Sequence, residues 1–336
     1  ITIILEKEAQ ALAEIVINSR NNPANRIIKQ AIKHKKINAA KNDKYYADFY
    51  SRGLMRVKNL PTKIGFAQIP DSFDLLDSTR SGIVYLSETV SKIAFQKPDD
   101  LHEEIIASKV SGDDRGFSLN TAIGANFDFY ADYINYGNKI ISPLADPSFS
   151  YYRFSLVQTI SEEQHLIHQI KVSPLRDKEP VVEGFIYIID DSWEIYAVDF
   201  RLLGYRMGLP IVDSLQVTQQ YNFNEQDKRW TKSLQTLELG IGLLGINLQG
   251  RYSQNFSNYT FVDHFPKGTF GPKIIEIKKD ANSKDSSFWT QYRAIPLALE
   301  EKRDYLKKDS LQHIKNTDAY KDSIDRDFNR FHPQDI

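Results

Sequence analysis

Cysteine is missing altogether from this 336-residue chain, and methionine (two) and tryptophan (three) are scarce. Without cysteine there is no disulfide, no thiolate nucleophile, no cysteine-bound metal and no lipidated cysteine anchor. The absence fits an envelope compartment without proving one. Charge of one sign is missing too: 43 basic and 44 acidic residues leave a net charge of −1. No basic field draws the chain to nucleic acid or to anionic lipid. No apolar run approaches the roughly 20 residues that a membrane helix needs. There is no initiator Met and no signal peptide, so the chain reads as a mature or excised piece. No G-x-S-x-G elbow, P-loop or G-x-G-x-x-G occurs, so hydrolase and phosphate-cradle signatures are lacking.

Aromatic residues are abundant instead, with 18 Tyr and 19 Phe. Hydrophobic residues make up 41% and charged residues 26%, a globular balance. Asn22-Pro23 opens a helix, with Asn as N-cap and Pro at the first helical position. Ile27, Ile28, Ala31 and Ile32 form its apolar stripe, and Lys29, Lys33, Lys35 and Lys36 its wet side. Tyr45 to Val57 and Gly82 to Gln96 read as strands. Asp99 to Ile106 reads as a short helix or turn after Pro98, followed by a polar loop. Asn126 to Gly137 carries Phe127, Tyr130, Tyr133 and Tyr136 at a three-residue spacing, which predicts a helix with an aromatic face.

Two further strands, YYRFSLVQTI and HLIHQIKVSP, precede VVEGFIYIIDDSWEIYAVDFRLLG, Val181 to Gly204, a predicted hairpin with apolar residues on both faces. Phe185, Tyr187 and Ile189 share one face, and Ile186 and Ile188 the other. A hairpin with one wet face would alternate, so the second apolar face needs a cover or lines a cavity. Tyr187, Tyr196 and Phe200 are therefore the candidate ligand-binding residues. SLQVTQQYNF, Ser214 to Phe223, is another strand. From Leu237 to Gln254 the apolar parity slips between Leu243 and Leu244, which predicts a bulged, Gly-bent strand in a curved sheet. A polar linker (DANSKDSS) and a helix from Leu297 to about Ile314 follow.

The other constellations have ordinary explanations. His165 and His168 form H-x-x-H, but a zinc-protease helix needs i, i+4, and in a strand these two face opposite ways. Asp113-Asp114, and Asp322, Asp325 and Asp327, lack the order of an EF-hand loop. No metal or cofactor is expected. Asn255 and Asn258 begin adjacent N-glycosylation sequons, and Asp213-Ser214-Leu215, Asp309-Ser310-Leu311 and Asp322-Ser323-Ile324 resemble an envelope O-glycosylation acceptor.

The phrases PANRIIKQAIKHKKIN, YYADFYSRG, YLSETVS, EEIIASKVSG, ISPLADPSFSYYRF, IKVSPLR, EPVVEGFIYIIDDSWEIYAVDF, FWTQYRAIPLALEE and YKDSIDRDFN come in an order that carries a resemblance. The chain resembles an uncharacterised outer-membrane family of Bacteroidota-type bacteria. In that family a domain of unknown function lies between a carboxypeptidase-regulatory-like β-sandwich and an outer-membrane β-barrel. One departure is Ala298, where a Thr helix cap is expected. The resemblance implies that residues 1–20 end the sandwich, that 21–279 form a periplasmic domain, and that 280–336 connect toward the barrel. It supplies no catalytic residue.

The expected architecture is α+β: a curved antiparallel sheet similar to the lipoprotein-carrier half-barrel, with a packed N-terminal helix and a C-terminal helical connector. The expected function is non-enzymatic binding of a lipid or acyl chain in the concave sheet, at the periplasmic face of the outer membrane. Its partners would be that ligand, the chain's own barrel and envelope proteins, and not nucleic acid. The alternative is an interaction or scaffold module whose concave face is filled by protein. A cryptic hydrolase is the third reading.

Overall fold

A computed structural model describes residues 22–64, 67–69, 76–112, 118, 120–162, 165–243, 245–320 and 322. The expected sandwich tail at 1–20 and the clusters at Asp113, Asp325 and Asp327 lie outside these residues.

Helix α1 (Pro23–Ala40) begins as its sequence dictates, with the Asn22 side chain accepting from the Ala24 amide. It leads into strand β1 (Lys44–Lys58), the short pair β2 (Lys63–Ile64) and β3 (Ala67–Gln68), and then β4 (Gly82–Gln96) and β5 (Asp100–Val110). Next come β6 (Tyr133–Tyr136), β7 (Asn138–Ile141), β8 (Tyr152–Glu162), β9 (His165–Pro174), β10 (Glu183–Ile189) and β11 (Ile195–Leu203). The turn α2 (Gly204–Met207) precedes β12 (Val212–Asn224), β13 (Arg229–Leu243), β14 (Ile246–Phe261) and β15 (Ile275–Ile277). Helices α3 (Ser286–Tyr292) and α4 (Leu299–Lys315) end the described chain.

Eleven strands form one open sheet in the order β15-β5-β4-β1-β14-β13-β12-β11-β10-β9-β8. All pairs are antiparallel except β15 with β5. The sheet is bowed. His165 of β9 and Trp230 of β13 stand four strands apart, which a flat sheet would separate by roughly 19 Å at about 4.8 Å per strand. Their ring centroids lie 5.3 Å apart. The fold is therefore α+β, built on a large curved sheet that does not close.

On the concave side, Ile27, Ile28 and Ala31 of α1 pack with Phe129, Ile140 and Leu144 against Ile186, Val198, Phe200 and Val217. Lys35 departs from expectation. It is buried rather than wet, and its ammonium donates to Asp132 at 2.5 Å, Asp146 at 2.6 Å and the Leu144 carbonyl at 3.0 Å. Burial alone would lower its pKa, but the two carboxylates hold it raised. The helix is thus tied to the segment that follows β5.

On the convex side, α3 and α4 cover strands β5, β4 and β1, toward one edge of the sheet. Trp289 packs with Tyr50, Val90 and Ala107, and Tyr305 with Ile83 and Leu86. Beneath them Glu88, fully buried, receives both Arg293 nitrogens at 2.6 and 2.8 Å and the Tyr50 hydroxyl at 2.7 Å. Burial pushes the Glu88 carboxyl up, yet Arg293 overrides it and holds it below the usual range. Strands β1 and β4 are consequently covered on both faces.

Three expectations need correction. Asp99–Ile106 is no helix: Asp99 ends a turn, and Asp100–Ile106 belong to β5, whose Glu103 and Ile105 face the concave side opposite Ile93 and Ser91. Asn126–Gly137 is no helix either; it is irregular backbone running into β6. The parity slip after Leu243 is a chain reversal, not a bulge. Leu243 pairs with Ile246, and Gly245 takes φ +81° there. The C-terminal helix starts close to expectation, and Ala298 caps it without a side chain. The Glu301 carboxylate compensates by accepting the Ala298 amide at 2.6 Å.

Candidate functional site

A line of six polar side chains crosses the concave face, each paired directly with the next: Gln219, Gln235, Gln254, Ser51, Thr89 and Ser108. All six are buried. Polar groups are buried stably only with hydrogen-bond partners. For Gln219 and Gln235 the partner is an irregular segment, residues 120–132, that runs over the sheet with no strand of its own to satisfy its backbone; the Ser51 and Thr89 hydroxyls have no hydrogen-bond partner among the described residues. Gln219 donates to the Phe127 carbonyl at 2.8 Å, and Gln235 to the Ala125 carbonyl at 3.0 Å. The amides also bond one another, Gln219 to Gln235 and Gln235 to Gln254, each at 2.6 Å. Further along, Asn120 donates to Ser87 Oγ at 2.8 Å. Gly53 lets it sit close, because a Cβ there would lie 2.3 Å from Asn120 Oδ1.

Glu103 anchors the same segment from β5. Its carboxylate accepts Ser91 Oγ at 2.7 Å and the Ala122 amide at 2.8 Å. Burial pushes its pKa up, with those two bonds opposing. Among the described residues it has no ion-pair partner.

Between this strap and the β4–β5 end of the sheet lies a cleft of about 980 Å³. Tyr45, Ile93, Phe95, Leu101, Ile123 and Phe256 give it an apolar wall, and Ile274 stands at the β15 side. Lys97, Asp128 and Lys232 supply charge. Lys97 and Asp128 pair at 2.8 Å. None of the six side chains of the polar line reaches the cleft. Lys232 differs from Lys97. Its ammonium donates to the Ala125 carbonyl at 3.2 Å and stands 4.5 Å above the Phe256 ring, and no carboxylate pairs with it among the described residues. Burial pushes it down to about 8. The same burial raises the neighbouring hydroxyls of Tyr45, Tyr221 and Tyr259.

The structure does not gather Tyr187, Tyr196 and Phe200 into one site. Phe200 is fully buried in the concave core, its ring 5.2 Å from Phe129. Tyr196 falls at a register shift between β10 and β11, meets Trp230 at 5.7 Å and donates to Glu162 at 2.8 Å. Tyr187 pairs with Ala197 and Gln169 on the opposite face from Phe200, half-buried, and its hydroxyl accepts from Gln169 at 2.9 Å. The aromatic set also disperses: Phe127 stacks on Tyr136 at 5.5 Å, the Tyr130 hydroxyl accepts the Ile195 amide at 2.8 Å, and Tyr133 is exposed. His165 meets Trp230 edge-on, while His168 bonds Thr159 at 2.9 Å and lies 3.2 Å from Asp190. No metal-holding cluster occurs among the described residues. The residues that line the cleft come from six separate stretches, and none of those stretches carries a local motif. A parity count on the corrected β5 would have placed Glu103 facing inward.

The family model described as a family of unknown function (DUF5686) matches residues 27–259. No curated protein matches this sequence. Among solved structures, a LolA superfamily protein from Nitrosomonas europaea is similar at 11% identity and TM-score 0.28, over 74% of this chain and 97% of its own. A putative outer membrane lipoprotein-sorting protein domain from Vibrio parahaemolyticus is similar at 10% identity and TM-score 0.30, over 73% and 97%. The Pseudomonas aeruginosa MucA/MucB complex gives 9% identity and TM-score 0.20, over 76% and 98%. At these scores the likeness bears on neither ligand nor partner.

Proposed function

The chain belongs to the DUF5686 family, and from that premise we propose that it is a non-enzymatic binding domain of the bacterial envelope that takes an apolar chain into the cleft beside the strap. The observation that carries this reading is the unfilled volume of about 980 Å³ on the concave face, walled by Ile93, Phe95, Ile123 and Phe256. Burying a methylene is worth about 0.8 kcal/mol, so a chain of moderate length binds usefully there. Residues 21–279 would form this domain at the periplasmic face of the outer membrane, with 280–336 leading toward a barrel.

Displacement of a fluorescent fatty acid tests the reading. Ile123 and Ile274 are both 47% exposed, so changing them leaves the core alone. Ile123→Asp with Ile274→Asp should weaken binding at least about tenfold, equal to about 1.4 kcal/mol, with unchanged thermal unfolding. Wild-type protein that binds no aliphatic probe would end this reading.

A second reading is favoured by a separate observation. Under β8–β12 the concave face is filled by α1 and residues 127–145. A scaffold that docks envelope proteins needs no hollow there. Pull-down of a discrete envelope protein by a chain that binds no aliphatic probe would favour it.

A further inference from the structure

Among the described residues, Lys232 is a cationic group of the cleft with no carboxylate in direct ion pair with it. Lys97 is neutralised by Asp128 at 2.8 Å. Lys232 rises from β13 beneath the strap with only a carbonyl and an aromatic face for company. A half-buried ammonium is desolvated, and one neutral hydrogen bond replaces little of its hydration. It is held there by the sheet: the Tyr259 hydroxyl donates to the Lys232 carbonyl at 2.6 Å, and a register shift between Gln220 and Tyr221 brings Lys232 opposite Tyr221. Lys232 also lines the smaller pocket next door, with Tyr45, Phe95, Tyr130 and Tyr259. Aromatic and aliphatic walls thus converge on a positive charge that no carboxylate bonds directly among the described residues.

We propose that Lys232 is the head-group site of this cleft, pairing with the anionic oxygen of an amphiphile (a carboxylate or a phosphate) whose chain lies along Phe95, Ile93 and Ile123. This rests on the reading of the cleft as a site for an apolar chain. An anion placed there converts an isolated ammonium into a charge-assisted pair in a partly dry setting, where such bonds are strong. The charged and titratable groups that face Lys232 are Asp128 and Lys97 from the strap and the β4–β5 turn, and Tyr45, Tyr221 and Tyr259 from the sheet.

Matched twelve-carbon probes separate head from tail: dodecanoate, dodecanol and, for the head alone, acetate and inorganic phosphate. Wild-type protein should bind dodecanoate at least about tenfold more tightly than dodecanol. Lys232→Met should erase that preference while dodecanol binding persists, and Lys232→Arg should keep it. With wild-type protein the preference should shrink as pH rises through about 8, where Lys232 loses its charge; Lys232→Arg should hold it there, since guanidinium stays protonated. Equal binding of the two probes by wild-type protein overturns the proposal, as does a preference that survives Lys232→Met. Displacement by acetate or phosphate as effective as by dodecanoate overturns the amphiphile and leaves a simple anion site. If dodecanol fails along with dodecanoate, the cleft reading itself falls.

Discussion

Glu88 and Arg293, 205 residues apart in the chain, meet in a two-pronged ion pair with Nε–Oε1 at 2.6 Å and Nη2–Oε2 at 2.8 Å. Glu88 is completely buried in β4, and Arg293 follows α3. The pair fixes the C-terminal helices to the convex face, with the Arg52–Glu301 pair at 3.2 Å as a second attachment. The helices that follow the polar stretch DANSKDSS, α3 and α4, are thus packed against the sheet. Removing one member of a buried pair strands the other charge. Arg293→Ala should cost about 3 kcal/mol in urea unfolding and expose residues 280–315 to limited proteolysis. Arg293→Lys should cost less.

Glu103 should make stability depend on pH in the opposite sense to most carboxylates. Its folded pKa is raised, so the folded state holds its proton more tightly than the unfolded chain. Stability from this group is full below the unfolded value of about 4.3. It is lost as pH rises through the folded value. Glu103→Gln keeps an acceptor for the Ala122 amide and removes the charge. Urea midpoints should show the variant at least as stable as wild type at pH 8, with a flatter profile between pH 5 and 8. A parallel profile would refute this account of Glu103.

Gln235 serves three partners at once: it donates to Ala125 and Gln254 and accepts from Gln219. Gln235→Leu fills the same space but leaves those groups without their bonds. Each buried orphan costs about 1–3 kcal/mol. The loss should reach about 3 kcal/mol by chemical denaturation, accompanied by faster amide exchange in residues 120–130.

Gly53→Ala tests how closely the strap approaches the sheet. The added methyl would meet Asn120 at 2.3 Å and Tyr252 at 2.8 Å. Overpacking of this kind costs about 1–3 kcal/mol, and thermal unfolding should show it. An unchanged melting temperature would mean that Asn120 yields freely.

Much of the scaffold is written locally. Asn22-Pro23 marks the start of α1, and runs rich in aromatic and β-branched residues mark β1, β4 and the β10–β11 hairpin. The errors arise where distant contacts decide. In β5 the Glu103-Glu104 pair suggests a helix by composition. One carboxylate turns inward to Ala122, while the other turns outward to Lys278. The aromatic spacing from Phe127 to Tyr136 imitates a helical stripe, yet those rings are distributed among separate neighbours. Lys35 reads as solvent-facing because Asp132 and Asp146 lie about a hundred positions away. The cleft was illegible for the same reason. Its walls join strands, strap and the chain before β15, and its open volume is a property of the assembled surface. The two-sided burial anticipated for the β10–β11 hairpin is found instead at β1 and β4, because the C-terminal helices settle there.

The polar line across six strands runs beside the cleft without reaching it. Gln219 and Gln235 grip the strap there by its Phe127 and Ala125 carbonyls. That wall of the groove is therefore fastened by directional bonds as well as by apolar packing, and anything that widens it has to break them.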